Sequence, residues 1–325
     1  MSMPIARSKS PYQEVIVVGA YLVALVMDVE RFPGRGETLT ADNFRQTFGG
    51  KGSNMAVQLA RLSKPVHFAG CVGQDSYGDQ FARMANQEGV NLALLRRDNE
   101  LPTGAGFIVA CRDGHNFITI DIGVNKRFGR VEIDTISHQF SPATIVITQH
   151  EILTDTALYA ARRAHQQGAF VICNPAPAED LTDQDLSCID VLTPNETEAR
   201  VCLGLLPDDP TDDAEIARRL LSLGVKTVLM TVGERGCILA DAGGTEQLPG
   251  LNINQVVDTT GAGDAFNAAL AAALLDGHAL REAAMYANVV AGLSTTRANT
   301  IPSYHTHQEV ARFLEQVPNS TLTVY

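Results

Sequence analysis

An α/β fold, with a three-layer, mainly parallel sheet covered by helices on both faces, is what this sequence predicts. Two patterns point to it. Short apolar strand candidates alternate with helix-like stretches along most of the chain. The 325 residues also suit one large body with an appendage, or two domains. With 45% hydrophobic and 19% charged residues the composition is that of a globular protein, which excludes collagen, coiled coil and extended disorder.

The elements follow in order. Arg7 and Lys9 precede the apolar run Val15–Met27, a layout that imitates a signal peptide. Glu14 abuts the run, no small-residue cleavage site follows it, and it is rich in β-branched residues. At 13 residues it is also too short to span a bilayer. It reads as a buried first strand, with 1–13 a loose tail. Further strands are expected over 66–72, 144–149, 169–174, 190–193, 226–232 and 236–241. Helices are expected near 53–63, 77–89, 154–167, 195–203 and 212–223. The stretch 264–316 reads as three successive helices with turns near Gly277 and Pro302.

Two pieces break the alternation. Residues 34–48 and 104–122 are strand-like without helices, the second a hairpin around Asp113-Gly114 with Phe107, Val109 and Cys111 alternating against Ile108 and Ala110. With the end of the first strand they suit a small separate sheet, a lid over a cleft or a plain antiparallel extension. The expected division is a body of 14–33, 49–103 and 123–316 and a lid of 34–48 plus 104–122.

The net charge, 25 − 37 = −12, argues against nucleic-acid or anionic-membrane partners, although a local positive pocket can still hold phosphate. Six scattered cysteines without ligand-like spacing read as reduced thiols of a cytoplasmic protein, serving mostly as core filler.

Four segments carry chemistry. Asp258-Thr259-Thr260-Gly261-Ala262-Gly263-Asp264-Ala265-Phe266 is a glycine turn opening a small-residue helix. Such a turn aims bare N–H groups, and the positive end of the helix dipole, at an anion. A carboxylate at Asp264 repels phosphate, so it suits a base for an attacking hydroxyl, or else a helix cap. Phe48-Gly49-Gly50-Lys51-Gly52-Ser53-Asn54 also puts bare backbone at a helix start, either to bind hydroxyls or phosphate or as a plain loop. Thr193-Pro194-Asn195-Glu196-Thr197-Glu198 follows a strand; it suits a capping box or a Mg²⁺ neighbourhood. Thr231-Val232-Gly233-Glu234-Arg235-Gly236 is a strand end running into a turn that suits the border of a nucleotide. Neither a dinucleotide fingerprint nor a Walker motif is present.

Together these segments resemble the ribokinase-like (PfkB-type) carbohydrate kinases over residues 14–316. DTTGAGDAF, from 258, is similar to that family's C-terminal signature and GGKGSN, from 49, to its N-terminal one; NPAPAE (174–179), TPNETEA (193–199) and TVGERG (231–236) match between them. The resemblance implies an ATP-dependent kinase that phosphorylates a primary hydroxyl of a pentose or related sugar, ribose-like first. Asp264 would be the catalytic base, and Gly261, Ala262 and Gly263 the anion hole. Gly50, Lys51 and Asn54 would contact the sugar, and Glu151 would be a sugar-side carboxylate. Asn195 would lie near Mg²⁺ and the phosphates, with Glu198 acting on Mg²⁺ through water. Thr231, Gly233, Gly236 and Asn288 would border ATP. Asp258 and the Thr260 carbonyl match a monovalent-cation (K⁺) site. Family members also carry a small-sheet lid and often dimerise through it, so a homodimer is implied.

Two departures matter. The family's G-S-x-N-x-D at the end of the first strand is here Gly19-Ala20-Tyr21-Leu22-Val23-Ala24, so Leu22 and Ala24 replace the polar sugar ligands. Asp28 is the nearest carboxylate, but four residues of strand span about 13 Å. The cation loop Thr296-Arg297-Ala298-Asn299-Thr300 lacks the usual glycine. The alternatives are a nucleoside kinase, a phosphosugar kinase using Arg35 or Arg45, or a non-catalytic ligand-binding relative.

Overall fold

A computed structural model describes residues 10–112 and 115–316. The first half runs β1 (Glu14–Val18), β2 (Leu22–Val29), β3 (Asp42–Gly49), α1 (Lys51–Arg61), β4 (Val66–Gly73), α2 (Ser76–Glu88), β5 (Leu95–Asp98), β6 (Gly104–Cys111), β7 (Asn116–Asp121) and α3 (Arg130–Ile136). Next come β8 (Thr144–Gln149), α4 (Thr154–Gln166), β9 (Phe170–Asn174), β10 (Val191–Leu192), α5 (Glu196–Cys202) and α6 (Asp213–Leu221). The chain continues with β11 (Thr227–Thr231), β12 (Cys237–Asp241), β13 (Gly244–Leu248), α7 (Ala262–Leu275), α8 (Leu280–Ser294) and α9 (His307–Gln316).

The large sheet has the order β13-β12-β11-β10-β9-β8-β1-β4-β5. It is parallel from β11 to β5, and β11, β12 and β13 form an antiparallel meander at its edge. Neighbouring residues of the central strands feed opposite faces, as the two-residue period of a strand requires. Val15, Val17, Ile145 and Ile147 join the core under α1, α7 and α8. Ile16, Val18 and Val146 join the core under α4 and α6. Both faces are therefore covered, which makes the three layers.

The apolar run Val15–Met27 is not one strand. It breaks at Gly19, where the Gln149 side chain crosses the backbone: Gln149 Nε2 donates to the Val18 carbonyl at 3.1 Å, and a Cβ on Gly19 would lie 1.6 Å from that nitrogen. Asn125 Nδ2 takes the Tyr21 carbonyl at 2.9 Å. With these carbonyls satisfied outside the ladder, the chain turns away, and Leu22–Val29 enters a second sheet of order β3-β2-β6-β7. Residues 22–29 and Gly49, expected with the body, thus pair in the small sheet, and only 42–48 of the first expected lid piece is strand. The Asp113-Gly114 turn lies outside the described residues.

Other differences are local. β5, α3 and β13 were not expected, β10 shrinks to two residues, and α1 begins at Lys51. All six cysteines are buried and unpaired. Among the described residues no helix is long and apolar enough to cross a membrane.

Gly70 sits where β4 meets the β1–β2 break. A Cβ there would lie 2.4 Å from the Gly19 carbonyl and 2.8 Å from the Phe68 ring. Gly70→Ala should lower stability by about 2 kcal/mol, because backbone must move to admit the methyl. Denaturant unfolding should show an earlier midpoint with an unchanged slope; an unchanged midpoint would mean that the junction is loose.

Candidate active site

The loops at the C-terminal ends of the parallel strands meet two helix N-termini, and this is where open α/β sheets bind ligands. α1 starts after Gly50 and α7 after Gly261, and both of these glycines have positive φ, 90° and 83°. At Gly261 a Cβ would lie 2.4 Å from Thr300 Cγ2 and 2.9 Å from Tyr304 Oη, so crowding and conformation both require glycine there.

Asp264 lies in the first turn of α7 and is only 4% exposed. Its Oδ2 accepts from Asn54 Nδ2 at 2.8 Å, while its Oδ1 is buried with no hydrogen-bond partner among the described residues. Lys51 Nζ stands 4.0 Å from that oxygen. Burial raises the Asp264 pKa, against the pull of Lys51 and the Asn54 hydrogen bond. For Lys51, burial works against the charge, but Asp264, Glu151 and Glu198 outweigh it, and the ammonium is held charged more firmly than usual. Glu151, beyond the end of β8, accepts the Lys51 backbone N–H at 2.5 Å. Burial pushes its pKa up to about 7, with Lys51 pulling the other way. Glu151 thus holds the backbone of Lys51 while Asn54 holds Asp264, and neither lines the cleft.

The N–H groups of Gly263 and Asp264 have no acceptor among the described residues, and a Cβ on Gly263 would meet nothing within 4 Å. Open space therefore lies in front of bare donors at the positive end of a 14-residue helix. A buried relay holds that end. Asn267 Nδ2 donates to the Gly263 carbonyl at 2.9 Å, Thr193 Oγ1 to Asn267 Oδ1 at 2.7 Å, and Asn174 Nδ2 to the Thr193 carbonyl at 2.7 Å. Sequence reasoning missed this relay. Asn174 and Thr193 open two of the segments it noticed, and Asn267 lies three residues beyond Asp264.

A cleft of about 910 Å³ opens from this corner. Its wall brings together Lys51, Asp264, Gly261, Ala262 and Gly263 with Asn195, Glu198, Thr231, Gly233, Gly236 and Asn288. Gly50, Asn54, Glu151, Asp258 and Thr260 are not on that wall. Several wall residues have structural duties. Asn195 and Glu198 form a reciprocal cap on α5: Asn195 Oδ1 accepts from the Glu198 N–H at 2.7 Å, and Glu198 Oε2 accepts from the Asn195 N–H at 2.9 Å. Burial raises the Glu198 pKa. Asn288 Nδ2 donates to the Pro249 carbonyl at 3.0 Å, and a Cβ on Gly236 would lie 2.2 Å from the Leu248 carbonyl; both residues seat the chain after β13.

Asp258 clamps two loops, accepting from the Thr260 N–H and the Asn299 N–H, each at 2.9 Å. Burial works to raise its pKa, but these hydrogen bonds outweigh it and the pKa is lowered. No cluster of three or more His, Cys, Asp or Glu side chains suited to a metal occurs among the described residues.

In the small sheet, Leu22 is buried, and a Cβ on Gly104 would lie 2.4 Å from its Cδ2; Ala24 is half-buried. Asp28 is taken by Arg45 at 2.9 Å and Asn43 at 3.2 Å, so it does not stand in for the polar residues missing at 22 and 24.

The model of the pfkB family carbohydrate kinases matches residues 12–307. A ribokinase of Haemophilus influenzae is 33% identical over 299 residues, covering 92% of this chain and 97% of its own. A deoxyribokinase of Salmonella typhi is 29% identical over 302 residues, covering 93% and 98%. The structure of Arabidopsis thaliana ribokinase complexed with ribose and ATP is similar with a TM-score of 0.84 at 30% identity, covering 94% of this chain and all of the other.

Glu151 sets a pH dependence of stability. Its pKa in the folded chain is raised, so its contribution is complete below the ordinary glutamate range and is lost as pH rises through about 7. Glu151→Gln should therefore gain on the natural chain between pH 5 and pH 8.5, by at most about 3 kcal/mol. Urea midpoints of the two proteins at each pH measure this; parallel curves would place the ionisation elsewhere.

Proposed function

The chain belongs to the pfkB family of carbohydrate kinases, and from that premise we propose that it transfers the γ-phosphoryl group of ATP to a primary hydroxyl of a pentose or related sugar, with Asp264 as base. One observation carries the reading: a buried carboxylate oxygen without a partner, 4.0 Å from a lysine ammonium, beside bare N–H groups at a helix start. A pure binding protein needs no such base.

In this reading Asp264 Oδ1 takes the proton as the hydroxyl oxygen attacks the γ-phosphorus. The new O–P bond forms, the bond to the β–γ bridging oxygen breaks, and ADP leaves. Asn54 orients the carboxylate and Lys51 favours its ionised form against the burial that raises its pKa. The Gly263 and Asp264 N–H groups meet the charge on the transferring oxygens, most of the catalysis being positioning and fixed dipoles. The ATP tail would run along Asn195, Thr231, Gly233 and Asn288 on the cleft wall.

The donor set around Asn195 and Glu198 suits Mg²⁺ held through water, since one Glu198 oxygen is already spent on the helix cap. When bound, that ion would neutralise phosphate charge. A K⁺ ion beside Asp258 and the Thr260 carbonyl has less support, because Asp258 already clamps its loops through both oxygens.

Leu22 and Ala24 offer no hydrogen bonds, and an unmatched sugar hydroxyl against them would be costly. The acceptor is therefore ribose-like with few hydroxyls on that side, in keeping with the ribokinase and deoxyribokinase relatives. Arg45 is paired with Asp28, which disfavours a phosphosugar. The small sheet exposes Phe107 and Phe117 on one face and Ile118 and Ile120 on the other. A lid closing over the cleft would bury one face and leave the other for a second copy of this chain.

Asp264→Asn should cut turnover by about 10² to 10⁴-fold, the worth of general-base catalysis, while calorimetric ATP affinity stays within a factor of two or so. ADP release should be followed with pentoses, deoxypentoses, ketohexoses and nucleosides. A raised pKa at Asp264 also moves the acid limb of the rate profile above the ordinary aspartate range, because only the ionised form accepts the proton. Turnover that survives the substitution would remove the base.

A further inference from the structure

Helix α1 is fastened to the Gly261 turn at both of its ends. At the N-terminal end the link is direct, Asn54 to Asp264. The other link starts at Arg61 at the far end, seven residues on and about 10 Å along the helix axis. There Arg61 Nη1 donates to the carbonyls of Ile301 (2.6 Å) and Tyr304 (2.9 Å). Its Nε and Nη2 grip both oxygens of Glu88, at 2.9 and 2.7 Å, which fixes the plane of the guanidinium. One turn back, the fully buried Gln58 donates from Nε2 to the His305 carbonyl at 3.1 Å. The segment held this way contains Tyr304, whose hydroxyl donates to the Gly261 carbonyl at 3.2 Å. That carbonyl also accepts the Ala265 N–H at 2.9 Å, the hydrogen bond that opens α7.

We infer that Arg61 and Tyr304 are positioning residues which, through the 301–305 segment, lock the Gly261 peptide to helix α1, so that the acceptor side (Lys51, Asn54) and the phosphate side (Gly261 to Asp264) keep one mutual geometry. The inference rests on the kinase reading for its effect on rate, but the lock itself is a matter of hydrogen bonds. Two further facts favour it. Tyr304 is buried, and burial together with the nearby Asp264 carboxylate keeps its hydroxyl protonated, hence a donor. Gly261 has no side chain of its own to fix its turn, so the carbonyl needs an outside hold. Neither Arg61 nor Tyr304 lines the cleft.

The test uses Tyr304→Phe, Arg61→Lys and the double variant, with folding checked by thermal melts. Tyr304→Phe removes only the hydroxyl. Arg61→Lys keeps the charge beside Glu88 but loses the fork that holds two carbonyls. Amide exchange at Ala265, read by NMR, should quicken about tenfold in each single variant, the worth of one net hydrogen bond. With the acceptor found in the substrate panel, kcat should fall about five- to tenfold while the KM for ATP stays within about twofold. Because both residues act through one element, the double variant should be no worse than the worse single one. Unchanged Ala265 exchange, or effects that multiply in the double variant, would overturn the lock. Asp264→Asn in the same assay separates the two claims. If it keeps its turnover the kinase reading falls, and Ala265 exchange still decides the lock by itself.

Discussion

Asp264 carries a carboxylate where water hardly reaches, and the rest of the site is arranged around that fact. Ionising an acid in such a place is unfavourable unless a cation and a hydrogen bond offset the lost hydration. Lys51 and Asn54 supply them, and both stand in the first turn of another helix. The pairing therefore requires two helix N-termini, 210 residues apart in sequence for Asn54 and Asp264, to meet at one edge of the sheet. The packing of α1 against α7 over the shared core answers that requirement.

The same geometry explains why glycine recurs here. The turns before both helices use positive φ; Gly50 runs close to the backbone of 20–22, and Gly261 is crowded by the Thr300 and Tyr304 side chains. The cleft thus joins an anchored carboxylate–lysine pair to a row of open amide donors. In the proposed reaction the pair would take a proton and the donors would receive anionic oxygen, both already in place before the reaction starts.

Much of this was legible in the chain. The glycine turn before 264, the parallel strands and the three closing helices follow from local periodicity and turn chemistry. The long apolar run 15–27 was not divisible by eye, because the residue that breaks it, Gln149, comes from a different strand. The large sheet's short edge strands β5 and β13 were invisible because little apolar patterning marks them: β5 is Leu95-Arg96-Arg97-Asp98. The relay from Asn174 through Thr193 to Asn267 links three distant segments, and only tertiary contact joins them. The cap of Asn195 and Glu198 was legible as a cap, and it forms as one.

Asp264 is a desolvated acid: burial raises its pKa, and the Lys51 ammonium opposes that rise. The most direct measurement is the carboxyl carbon titration of Asp264 by NMR in the natural chain and in Lys51→Met. The titration should show a pKa above the ordinary aspartate range in the natural chain and a further rise when the ammonium is removed. An ordinary aspartate titration, indifferent to the loss of Lys51, would contradict it.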